Sequence, residues 1–216
     1  MPAPTRAALE APCRQHFDRA KLKGEQAPDL AVALAETCAQ VLVLLVARAC
    51  VLPGIAASAP PPAGVGATTG PGRLLPPPAG GPDASTIDPL ARAQLASAGL
   101  RGERSAQLAA AIAGTLAAGV QLFTAQLSVA PGIPIAGLVT TAPGILIGSP
   151  PSASALEMAA LGQCNANGIL GEAATDLAKA IAGTLADSFG LLRSSALVAP
   201  GIAASPTMTV APGRLL

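Results

Sequence analysis

Apolar residues recur at helical spacing in three long stretches of the chain. Leu30, Leu34, Cys38, Leu42 and Leu45 fall on one face of a helix expected over Pro28–Cys50. Leu108, Ile112, Leu116, Val120 and Phe123 repeat that face over Ser105–Ser128. Leu177, Ile181, Leu185, Phe189 and Leu192 repeat it over Thr175–Ala196. Alanines run beside each stripe, as at Ala31, Ala35 and Ala39, and allow a neighbouring backbone to approach closely. A shorter helix is expected before each long one, over Thr5–Lys23, Pro89–Arg101 and Ala153–Leu170. A Gly-Glu pair follows each time, at Gly24-Glu25, Gly102-Glu103 and Gly171-Glu172. Glycine in the left-handed conformation is the expected stop for the short helix. Each glutamate is expected to satisfy backbone N–H groups at the turn.

These matches belong to one internal repeat. Ala111–Ile133 aligns with Ala180–Ile202 without a gap, and the same register carries Gly102-Glu103 onto Gly171-Glu172. The first copy joins the alignment with Gly24 on Gly102, Thr37 on Thr115 and Leu44 on Leu122. Pro53-Gly54-Ile55, Pro131-Gly132-Ile133 and Pro200-Gly201-Ile202 occupy one column. A second Pro-Gly follows at Pro71-Gly72, Pro143-Gly144 and Pro212-Gly213, with Thr68, Thr140 and Thr209 three residues before it. Copy one needs a six-residue insertion, placed around Pro60, Pro61 and Pro62.

The expected fold is mainly α: three tandem α-hairpin repeats of about 70 residues, each followed by an extended Pro-Gly arm. The repeats span 1–78 (with a Pro-rich linker), 79–147 and 148–216. They stack as an array or around a pseudo-three-fold axis. Pro-Gly suits the middle of a type II turn, and the β-branched stretches between suit short strands that pair between copies or between subunits. Pro76–Ser85 and Gly148–Ser152 read as linkers, the first exposed and stiff.

Composition narrows the function. Apolar residues make up 51% of the chain and charged residues 12%, with 23 Gly, 22 Pro and no Trp or Tyr. Mean hydropathy is +0.53. Soluble domains carry about 25% charged residues, so this chain is expected to hide surface in an assembly or in lipid. The net charge of +1 and scattered Lys and Arg argue against nucleic-acid binding. No apolar leader stands in the charged stretch from Met1 to Leu30, so cytoplasmic synthesis without a signal peptide is expected.

Candidate chemistry is thin. Cys13, Cys38, Cys50 and Cys164 share columns with Ala, Leu, Ser or Phe, which reads as packing. His16 is the only histidine and aligns with Gln94 and Gln163, an exposed or partly polar position. There is no CxxC motif and no nucleophile elbow or phosphate loop. No catalytic, cofactor-binding or metal residue is assigned, no cofactor is expected, and the chain is not expected to be an enzyme. The expected function is a self-assembling structural subunit of a multimeric particle, such as a shell, filament, virus-like or secretion-associated structure. Its partners would be copies of itself or related subunits, met through the arms and the Ala/Leu faces. The alternative is a membrane-associated pore or scaffold component. Ser105–Leu156 carries no charge, but the long helix of copy one holds Glu36 and Arg48, and that of copy three holds Lys179, Asp187 and Arg193.

Overall fold

Each apolar stripe becomes the buried face of a helix. The computed structural model describes residues 3–22, 24–61 and 64–216. Lys23, at the end of the first expected helix, and Pro62 of the insertion lie outside the described residues. The fold is mainly α. The helices are α1 (Arg6–Arg19), α2 (Ala27–Arg48), α3 (Ala84–Ser97), α4 (Ser105–Gln126), α5 (Ala153–Ala166) and α6 (Glu172–Ser195). Short strands follow the long helices: β1 (Cys50–Val51), β2 (Ala57–Ser58), β3 (Gly66–Thr68) and β4 (Gly72–Arg73) after α2. β5 (Ser128–Val129), β6 (Pro134–Ala136), β7 (Val139–Thr140) and β8 (Gly144–Ile147) follow α4, and β9 (Leu197–Val198) and β10 (Gly213–Arg214) follow α6.

Packing runs in a closed circuit. α1 packs on α2, α3 on α4 and α5 on α6; α2 also packs on α3, α4 on α5, and α6 on α1. The long helices α2, α4 and α6 touch one another, so they form the centre, with each short helix seated between two of them. Cys38, Leu116 and Leu185 are buried there, as are Leu42, Val120 and Phe189 one turn on. Phe123 stacks on Phe189 with ring centroids 5.0 Å apart. One apolar core runs through all six helices.

The short helices do not stop at the Gly-Glu pairs. They stop earlier, at a cap that the sequence pattern does not single out. Leu22 N–H donates to the Phe17 carbonyl, Leu100 to Leu95, and Ile169 to Cys164. Lys21, Gly99 and Gly168 bond back inside the helix end and take positive φ, at 56°, 80° and 74°. This double closure pairs the last carbonyls and brings an apolar residue back onto the helix. The Gly-Glu pairs instead open the next helix: the Gly24, Gly102 and Gly171 carbonyls accept from Ala27, Ser105 and Ala174. Among the described residues the N-cap side chains of α2, α4 and α6 make no capping hydrogen bond, and of the three glutamates Glu172 stands in the first turn of its helix, where an acid was expected.

α3 begins at Ala84, not Pro89. The Asp83 carboxylate accepts from Thr86 N–H at 3.0 Å and fixes the first turn, leaving Pro89 inside the helix. The Thr86 hydroxyl and amide, with Ser85, hold that carboxyl below the usual Asp range. The first linker is not exposed throughout. Gly80, Gly81 and Pro82 are buried, and a Cβ on Gly81 would meet Val120 and Leu45 at 3.0 and 3.1 Å.

The arms form two closed circuits of antiparallel pairing beyond the C-terminal ends of the long helices. In the nearer one β4 pairs with β5, β5 with β8, β8 with β9 and β10 with β1. Bridges from Val51 to Leu74 and from Val198 to Leu215 complete it. In the farther one β2 pairs with β3, β3 with β6 and β6 with β7. Bridges Val139–Ala203, Ala204–Thr209 and Ala56–Met208 return it to its start. Closure engages strand edges that would otherwise offer unpaired N–H and C=O groups.

Candidate functional site

Three equivalent polar contacts lie where one arm meets the next. Thr68, Thr140 and Thr209 are buried. The Thr68 hydroxyl accepts the Ile133 amide at 2.9 Å, Thr140 accepts Ile202 at 2.9 Å, and Thr209 accepts Ile55 at 3.0 Å. Each threonine carbonyl also takes the preceding glycine amide, from Gly132, Gly201 and Gly54, at 2.7 Å. Each threonine N–H donates back to the isoleucine carbonyl. Three hydrogen bonds therefore tie each of these three threonines to a Pro-Gly-Ile of another arm, and the circuit 68 to 133, 140 to 202, 209 to 55 closes.

The two Pro-Gly pairs do different jobs. Gly54, Gly132 and Gly201 have φ of 94°, 94° and 91°, as the third residue of a type II turn requires. Gly72, Gly144 and Gly213 lie in β4, β8 and β10. A Cβ there would meet the Cδ1 of Ile55, Ile133 or Ile202 at 2.6, 2.7 and 2.6 Å. Their bare backbone makes room for the isoleucine that the first turn presents.

The helical layer has a related fit. The His16 ring lies against Gly183 of α6, and its Nε2 meets the Asp187 carboxylate at 2.8 Å. Gln163 lies against Gly114 of α4 in the same way. His16 thus joins α1 to α6 and is mostly shielded, with a side-chain exposure of 18%.

The cysteines are placed as packing residues. Cys13, Cys38 and Cys164 are buried and Cys50 is half-buried, all as free thiols. The Cys13 thiol donates to the Ala31 carbonyl at 3.2 Å. Burial pushes its pKa up to about 11 and raises those of Cys38 and Cys164 as well. Neutral buried thiols are poor nucleophiles and poor metal ligands. Among the described residues, no three His, Cys, Asp or Glu side chains cluster to hold a metal.

Besides a more polar depression lined by Arg92, Arg101 and Ser105, three others lie among the described residues. Ala3, Arg6, Glu36, Val43, Leu44 and Leu90 line one of about 540 Å³ between α1, α2 and α3. Two smaller ones, about 260 and 300 Å³, lie at the helical turns and share Gln26, Leu100 and Leu108. All three are mainly apolar in lining. They suit contact with a partner better than polar chemistry.

α2 and α4 are each 22 residues long, with mean hydropathy of 2.2 and 1.7, enough by length and composition to cross a membrane. Here both are central helices of the bundle. No family model, curated protein or solved structure matches this chain.

Proposed function

We propose that the chain is three tandem α-hairpin repeats closed about a pseudo-three-fold axis, and that it serves as a structural subunit of a multimeric particle. The repeat boundaries are 1–78, 79–147 and 148–216. Each repeat offers its Pro-Gly-Ile turn to the threonine of the preceding arm. The contact is heterologous, and three copies suffice to close it. Repeats stacked this way bury faces that one hairpin alone leaves open.

The observation that carries the particle reading is a set of exposed apolar side chains, with little charge, on a chain whose strands are already paired. Val43, Val65, Ile145, Met158, Leu170 and Val210 are each more than half exposed, and only 12% of residues are charged. Exposed apolar side chains on a chain with this little charge favour contact with a partner. The arm backbones are engaged inside the chain, so contacts with other copies or related subunits would use outward side chains of arms and helices. This reading assigns no catalytic, cofactor or metal role.

The hydropathy of α2 and α4 favours one rival, a membrane-associated pore or scaffold component. Light scattering with and without mild detergent separates the two. Large regular particles in plain buffer support the subunit reading. Solubility only in detergent supports the rival, and a well-behaved single chain in plain buffer contradicts both.

A further inference from the structure

One of the three arm junctions differs from the other two in covalent terms. Arm one is followed in sequence by the hairpin it meets, and so is arm two. Arm three meets α1 and β1 at the far end of the chain. α6 packs on α1, β10 pairs with β1, and Thr209 holds Ile55. Residues 153–216 therefore touch the rest of the molecule through two surfaces of one kind, and a second copy of the chain offers the same two.

The segment leading into residues 153–216 is suited to a hinge. Residues 148–152 read Gly-Ser-Pro-Pro-Ser, and Gly148 has φ of 109°. Ser149 and Ser152 are exposed. Pro151 is buried between them, whereas the earlier linker has three consecutive buried residues, Gly80, Gly81 and Pro82. Five residues reach about 16–18 Å when extended, and consecutive prolines favour extension. Short hinges of this type invite exchange of identical elements between chains.

We propose that residues 153–216 exchange between two copies of the chain, pivoting at 148–152. Each closed unit of the dimer then holds two hairpins from one chain and the third from the other. This rests on the three-repeat reading above, and it names the partner as a second copy. The same junctions form in the closed and exchanged states. Chain concentration and hinge strain therefore set the balance between them.

Disulfide linking in the full chain tests this. Cys50 and Arg214 are Cα partners across β1 and β10, as are Ile145 and Leu197 across β8 and β9, and Arg73 and Ser128 across β4 and β5. Facing residues in antiparallel pairs lie about 4.5–5.5 Å apart, within disulfide reach. Arg214→Cys uses the native Cys50. Ile145→Cys with Leu197→Cys, and Arg73→Cys with Ser128→Cys, are made with Cys50→Ser. After oxidation at high protein concentration, exchange doubles the denatured mass of the first two variants and leaves the third as single chains. If all three link within one chain, exchange is wrong. Native mass on the same samples separates the two claims: particles with only intrachain links overturn exchange alone, and single chains overturn the subunit reading as well. If either of the first two variants fails to fold, the other reports the same event.

Discussion

The Thr209 hydroxyl accepts the Ile55 amide at 3.0 Å across 154 residues of sequence. With Thr68–Ile133 and Thr140–Ile202 it forms a set of three buried contacts, each placing one hydroxyl on an amide that has no other protein partner among the described residues. Replacing any of these threonines by valine keeps the shape and removes the acceptor. An orphaned buried amide costs about 1–3 kcal/mol. Urea unfolding should show each valine variant less stable by that amount, with serine variants losing less. An unchanged midpoint for all three would remove the hydroxyls from the account.

Lys21 holds the conformation that Gly99 and Gly168 hold at the other two short-helix ends. A side chain in the left-handed region costs about 1–2 kcal/mol, offset in part by the added chain entropy of glycine. Lys21→Gly should raise stability by about 0.5–1 kcal/mol. Gly99→Ala and Gly168→Ala should lower it by about 1 kcal/mol, since open space surrounds both and only the backbone objects. Thermal or urea unfolding of the three variants gives the comparison.

Much of this is legible in the sequence. The five-residue stripes of the long helices predict the buried faces, with only Leu30 and Leu108 half-buried at their starts. The cysteine columns predict thiols in packed positions. The cap positions are not legible, because Gly-Glu is the better-matched pair, whereas the true cap column reads Lys21, Gly99, Gly168 and hides behind a lysine. The second Pro-Gly looks like another turn. Its glycine is instead a steric allowance for Ile55, Ile133 or Ile202 on the far side of the arm, which no local pattern reveals. The threonine columns are visible, but their partners lie 62 to 154 residues away.

Gly183→Ala should push His16 off α6, because the new methyl would occupy the place of its ring. The variant should be destabilised and should lose the His16–Asp187 contact. In a His16→Ala background the same change should be neutral or stabilising, since Ala exceeds Gly in helix propensity by about 1 kcal/mol. A double-mutant cycle measures the coupling; an additive result would mean the ring does not depend on Gly183.

The buried thiols make alkaline pH unfavourable. Cys13 ionises at about 11 in the folded chain, raised by burial from 9.0. The unfolded chain loses this proton first, so stability is full below about pH 9 and falls as pH rises towards 11, by about 1.4 kcal/mol per pH unit for one such thiol. Denaturant midpoints between pH 8 and 10.5 should decline, and a Cys13→Ala variant should decline less steeply. With a thiol reagent at pH 8, the half-buried Cys50 should react well before the other three. Simultaneous labelling of all four would contradict the packed core.

The central proposal is that this chain, read as three hairpin repeats, builds a larger object from copies of itself. A native mass measurement of the purified full chain in detergent-free buffer, with negative-stain images of the same sample, tests it most directly. The account predicts regular particles whose mass is a multiple of one chain. A uniform population at the mass of a single chain would contradict it.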